Sequence, residues 1–317
     1  MKKGLSSNII KIIAITTMII DHIGLYLYRN FSDNTYFLLR TIGRMAMPIF
    51  TYLIIQGYFY TKNIKKYILR IFELALFTQL ILSILGFINQ EYYPKYWTNV
   101  NHYLGILFSY GLSLLLITII DRKIIISRLN EKQNLFVRIN IFILILYAYL
   151  RFKIEFDMRI PFLFLELYAI EKLFENDEKV LIKKNKKSKL ISRITYLGLI
   201  FFAFAISLLF VTYTPGNKYA MLGAIIPIAL YNGERGKNNN IIKLIFYILF
   251  PIQHSVLYLI AMCQTGRAFL THINFLCQKS PPRLTHKKTY WHNSKKCAII
   301  KHIKTMTKRS TFETAIK

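Results

Sequence analysis

Residues 9–28, IIKIIAITTMIIDHIGLYLY, decide the fold class of this chain. Twenty residues of α-helix reach about 30 Å, the thickness of a bilayer's hydrocarbon core. Apart from Lys11 near its start, the stretch is apolar or small until Asp21 and His22. A charge near the middle of a membrane helix costs about 2.5–3.5 kcal/mol. Residues 36–61 form a second stretch of spanning length, and it holds Arg40 and Arg44. A spacing of four puts both arginines on one helix face, one turn apart. Ionisable groups at such depth require a compensating partner or a chemical role.

The rest of the chain agrees with a membrane reading. Of 317 residues, 54% are hydrophobic and 15% aromatic, above the roughly 45–50% apolar content of soluble domains. The apolar runs are continuous, whereas a barrel needs alternating segments of about 10 residues. They fall at 9–28, 36–61, 67–88, 103–120, 135–150, 160–174, 194–213, 219–231 and 241–261. This predicts an all-α, polytopic transmembrane bundle of about nine helices. The first run follows Lys2 and Lys3 but has no small-residue exit site, so it reads as a span and not as a cleaved signal.

Net charge is +28, which in a soluble protein would suggest a nucleic-acid partner. Here the cations cluster between apolar runs, as in Lys62–Arg70, Arg122–Lys132, Lys179–Arg193 and Arg235–Lys243. These segments alternate with weakly charged ones near 29–35, 89–102, 151–159 and 214–218. Orientation explains that pattern: a multi-pass cell-membrane protein with a cytoplasmic N-terminus and no nucleic-acid partner. Residues 1–261 are expected to form the membrane domain and 262–317 a separate basic tail, disordered or atypical. The tail holds Cys263, Cys277 and Cys297, so the body needs no disulfide. It lacks the Cys and His spacing of a zinc site, and no metal is expected.

The chemistry concentrates in the first two spans. Asp21 and His22 lie past the midpoint of the first helix, and the returning second helix brings Arg40 and Arg44 to a comparable depth. Acyl transfer needs a base for the attacking amine or hydroxyl and a cation or donor for the tetrahedral oxyanion. The expected roles are His22 as base, Asp21 as its orienting group and Arg44 as the stabiliser of negative charge. His254, at matching depth in the last run, assists. A purely structural ion pair between the first two helices is the alternative. Gln56 and Gln79 read as interhelical hydrogen-bond glue, and Glu166 as a partner for Arg40 or Arg44. His102 reads as a packing residue, and Asp157 and Arg159 as solvated loop charges. On the cytoplasmic side, Lys62, Lys66, Arg70 and Arg235 form a basic rim suited to the phosphates of a donor; the positive-inside effect alone is the alternative.

Three blocks carry a family resemblance: residues 12–24 (IIAITTMIIDHIG), 42–57 (IGRMAMPIFTYLIIQG) and 231–236 (YNGERG). With 59–63 (FYTKN) and 250–254 (FPIQH), they resemble the TraX family of polytopic membrane proteins over roughly residues 8–261. The resemblance implies a membrane-bound acyltransferase, with links to conjugation and pilin acetylation and with acetyl-CoA or another acyl-CoA as co-substrate. It carries over Asp21, His22, Gly43, Arg44 and Pro48 as motif positions. Gln253 stands where the family's last histidine is expected, with His254 next, and Gln56 stands where many members carry an acid. The acceptor is left open between a protein amine, a surface-glycan hydroxyl and a lipid head group. A transporter or flippase, or a non-catalytic assembly partner of a surface structure, are the rival readings of the same buried charges.

Overall fold

The computed structural model describes residues 4–88, 103–121, 129–181, 186–211, 216–234, 236, 247–261 and 263. The chain divides into two compact units, 1–261 and 262–317. All but one residue of the second lie outside the described residues. The first unit is an α-helical membrane bundle. Its helices are α1 Ser7–Tyr26, α2 Asp33–Gly43, α3 Ala46–Tyr60, α4 Ile64–Ile88, α5 Ile106–Ile120, α6 Glu131–Arg151, α7 Arg159–Leu181, α8 Lys186–Leu209, α9 Ile225–Ala229 and α10 Tyr247–Ala261. Among the described residues, five helical segments are long and apolar enough to cross a membrane: Ser7–Tyr26, Asp33–Tyr60, Ile64–Ile84, Glu131–Arg151 and Lys189–Leu209.

Two expected spans are broken, and a proline explains each break. The run at 36–61 divides at Arg44–Met45 into α2 and α3. Pro48 has no N–H to donate to the Arg44 carbonyl, and its ring crowds that oxygen. The backbone there tightens, with Met45 N bonding Ile42 O at 3.3 Å. The run at 219–231 is a 3₁₀-helix, Lys218–Ala224, leading into the short α9. Pro227 removes the corresponding bond to Gly223.

The core lies between α3, α5, α7 and α8, where Ile49, Ile55, Leu114, Ile117, Leu163, Phe164 and Phe204 are fully buried. Burial sorts the helices by position: 56% of the α2–α3 span is inside the protein, against 17% of α6. α6 therefore turns most of its surface outward, and the apolar side chains there suit a lipid environment.

Buried polar side chains tie the central helices together. Gln56 donates to Glu171 Oε1 at 2.6 Å, an α3–α7 bond of the kind expected for it. Tyr196 donates to the same oxygen and meets the Tyr52 hydroxyl at 3.2 Å. Nearer the C-terminal end of α3, Asp121 accepts from Tyr58 at 3.0 Å and from Tyr168 at 2.7 Å, and it pairs with Lys172. Residues 5–7 are held by the turn at 230–234: Leu5 N bonds Leu230 O at 2.7 Å and Ser7 N bonds Glu234 O at 2.9 Å. Arg193 donates to Ala229 O and Tyr231 O from α8.

Candidate functional site

Two glycines let α1 and α2 approach closely. A Cβ on Gly43 would lie 2.2 Å from the Asp21 Cβ, and one on Gly24 would lie 3.1 Å from the Leu39 Cβ. Small residues at a membrane helix interface permit this kind of packing. It seats the Asp21 carboxylate between two guanidinium groups. Arg40 Nη1 donates to Asp21 Oδ2 at 2.5 Å and Arg44 Nη2 donates to Oδ1 at 3.1 Å. Arg40 also reaches the Asp21 carbonyl at 3.2 Å, and Arg44 Nε donates to the Arg40 carbonyl at 3.1 Å. Gly216, at φ +85°, lies so close over the Arg40–Thr41 backbone that a side chain there would meet the Thr41 nitrogen at 2.7 Å.

His22 lies about 100° further round α1 and belongs to a second cluster. Its ring centroid is 4.5 Å from that of His254 on α10. Tyr26, one turn along α1, hydrogen-bonds His254 Nδ1 through its hydroxyl at 3.0 Å. Gln253 turns inward as well, with Nε2 3.5 Å from the Met18 sulfur. His22 Nδ1 and Gln253 Oε1 are both buried without a hydrogen-bond partner.

The two clusters face one cavity of about 90 Å³. A single water needs roughly 10–15 Å³ of such space, so there is room for several. Asp21, His22, Arg44 and His254 all line it. Its other polar lining is Thr78, Gln79, Tyr110, Glu155 and Arg159, and apolar walls come from Met47, Phe50, Phe108, Phe156 and Met221. The segments at its rim are fixed to one another. Tyr103–Leu104 pairs in parallel with Lys153–Ile154, and Glu155 N bonds Leu104 O at 2.9 Å. Gln79 accepts from Gly105 N at 3.2 Å. Glu155 Oε2 accepts from Ile106 N at 3.0 Å, at the start of α5, where the helix dipole favours an anion. Burial pushes the Glu155 carboxyl above its ordinary range, and that N–H bond opposes the shift. Phe156 and Asp157 both hold positive φ, 65° and 43°. For a bulky residue such as Phe156 this is an uncommon backbone, and it aims the ring into the cavity wall.

The four residues expected to act together line one cavity, with three corrections of detail. The Asp21 carboxylate bonds the arginines and not His22, so it orients Arg44 and Arg40. Glu166 does not pair with either arginine; its Oε2 is buried without a hydrogen-bond partner. Arg159, expected as a solvated charge, is half-buried at the cavity and donates to Phe156 O at 3.2 Å. Asp157 is exposed as expected. His102 and Arg235 lie outside the described residues. Lys62, Lys66 and Arg70 are exposed, the last two one turn apart on α4, and none lines the cavity. They begin just beyond the C-terminus of α3, roughly 25 Å along that helix from Arg44. Glu155 escaped notice because loop carboxylates are common; only the Gly105 and Tyr103 segments packed against it mark it as part of the site.

Comparison with known proteins narrows what this arrangement belongs to. A stretch of 82 residues is 39% identical to the uncharacterized protein RP591 of Rickettsia prowazekii (strain Madrid E), covering 24% of this chain and 30% of that protein. The chain thus matches under a third of that relative's length. No solved structure matches. A family model described as TraX protein matches residues 6–261. That match takes in both helices that grip Asp21, the cavity rim and the helix that carries His254, so the chain belongs to the TraX family of membrane proteins.

Proposed function

We propose that this protein is an integral membrane acyltransferase that moves a short acyl group, such as acetyl, from an acyl-CoA to a protein amine or a glycan hydroxyl. The convergence of His22, His254 and Arg44 on one cavity supports the reading. An imidazole there can take the proton of the attacking amine or hydroxyl as its nitrogen or oxygen adds to the thioester carbon. The Arg44 guanidinium, held by Asp21 and the Arg40 carbonyl, sits ready for the charge that develops on the carbonyl oxygen. Collapse breaks the carbon–sulfur bond and expels the thiolate, which takes up from His22 the proton that the nucleophile lost. Tyr26 and His254 position the His22 ring and offer a path for that proton. Lys62, Lys66, Arg70 and Arg235 receive the donor's phosphates from a cytoplasmic side shared with the N-terminus.

The test uses the full chain in proteoliposomes with labelled acetyl-CoA and a mixed envelope acceptor. His22→Ala is expected to lower label transfer by about 10²–10⁴-fold while the protein stays folded. Equal transfer by the wild type, His22→Ala and Arg44→Met would reject the assignment. A transporter is the second reading, favoured by the broken helix Lys218–Ala229, since discontinuous helices beside a buried site are a transporter device. Solute uptake without any acyl transfer would select it.

A further inference from the structure

A second site lies on the lipid-facing side of the bundle, away from the cavity. α5 and α6 border an open groove of about 500 Å³. Its walls include Leu116 and Ile120 from α5, and Leu135, Ile139 and Phe142 from α6. Ile120, Leu135, Ile139 and Phe142 are each about half exposed. Among these apolar side chains sits Arg138, only 8% exposed, with Nε buried and without a hydrogen-bond partner. No carboxylate pairs with it among the described residues. Glu131 and Lys132 are the other charged groups that line the groove, and both are exposed near its end at the start of α6. Arg138 stands about 11 Å along α6 from Glu131. A headgroup layer is about 5–8 Å deep on each side of a bilayer, so a cation about 11 Å in from a solvated helix end is within reach of a lipid phosphate.

A guanidinium left uncompensated in an apolar groove is costly unless an anion meets it. We infer that this groove binds an anionic phospholipid, its phosphate on Arg138 and its acyl chains along Ile120, Leu135, Ile139 and Phe142. Basic pockets between membrane helices at headgroup depth recognise lipids in this manner. A zwitterionic lipid fits the same walls but adds a cation close to Lys132, so net negative charge is what the site selects.

The purified full chain in detergent, titrated with phosphatidylglycerol or phosphatidylcholine of equal chain length, tests this by native mass spectrometry and thermal unfolding. The wild type is expected to retain phosphatidylglycerol about five-fold better, and Arg138→Gln to lose that preference. Ile139→Trp, which fills the groove from an exposed position without touching the charge, should lose retention of both lipids; this variant keeps the test decisive if Arg138→Gln does not fold. An unchanged preference in folded Arg138→Gln, or undiminished retention in folded Ile139→Trp, overturns the proposal. So does an equal thermal shift with inorganic phosphate alone, which would mean a free-anion site, or a dimer that shields the thiol of Ile139→Cys from maleimide, which would mean a protein interface.

Discussion

Asp21 answers two cations at once, and its replacement or theirs has a calculable sign. Removing one member of a buried ion pair typically costs about 3–5 kcal/mol, because the remaining charge loses its compensation. Arg40→Met leaves Asp21 with Arg44 alone, and the midpoint of thermal unfolding in detergent should drop clearly; an unaltered midpoint would show that the pair carries no structural weight. Gly43→Ala adds a methyl where Asp21 already stands. Forcing that overlap should cost about 1–3 kcal/mol and displace the carboxylate from Arg44, lowering stability and transfer together. Glu155 yields a pH prediction. Its folded-state carboxyl holds a proton more tightly than the unfolded one, so its contribution is most favourable below the unfolded value and is lost as pH rises through the folded value. Glu155→Gln, which still accepts from Ile106 N, should therefore be more stable than the wild type at neutral pH and equal to it near pH 4. Parallel unfolding curves at every pH would refute this. Asp21, His22 and Arg44 were conspicuous in the sequence because charge is rare in an apolar run. Their division of labour was not, since adjacent residues on a helix point about 100° apart and only packing tells which neighbour each meets.

At the scale of elements, the break between α2 and α3 sets the direction of Arg44. Pro48 denies the Arg44 carbonyl its helical partner, and the last turn of α2 closes on Thr41 and Ile42 instead. Pro48→Ala restores the missing N–H. We expect unfolding stability to hold or rise while transfer falls roughly 10–100-fold, as misplacing a positioned group by an ångström would cause. Undiminished transfer would show that the break is incidental. The last helix carries a related lesson. The resemblance placed the histidine at 253, yet His254 is the residue that meets His22 and Tyr26, and Gln253 shares the same inner surface beside Met18. Gln56 is equally explained by its neighbour: it donates to Glu171, where an acid would face another carboxylate.

For the whole molecule, the basic rim and the cavity lie at opposite ends of α3, so the proposed donor must enter from one side and react deep toward the other. A variant with Cys263, Cys277 and Cys297 changed to Ser, and one new cysteine at Lys62 or at Asp157, tests this. A membrane-impermeant maleimide added to intact cells should label position 157 and spare 62; labelling of both would overturn the orientation. The sequence alone determined that this is an all-helical membrane protein with ionisable groups in its first two spans. Length, hydropathy and cation placement are additive along the chain, and the bilayer reads them one segment at a time. Only the tertiary structure decided that Asp21 clamps the arginines, that His22 faces His254, that Glu155 and Arg159 line the same cavity, and that Arg138 is buried in an apolar groove with its Nε unpartnered. Those pairings join residues up to 232 positions apart, and the free energy of a buried charge depends on which neighbours the packed helices bring within a few ångströms of it.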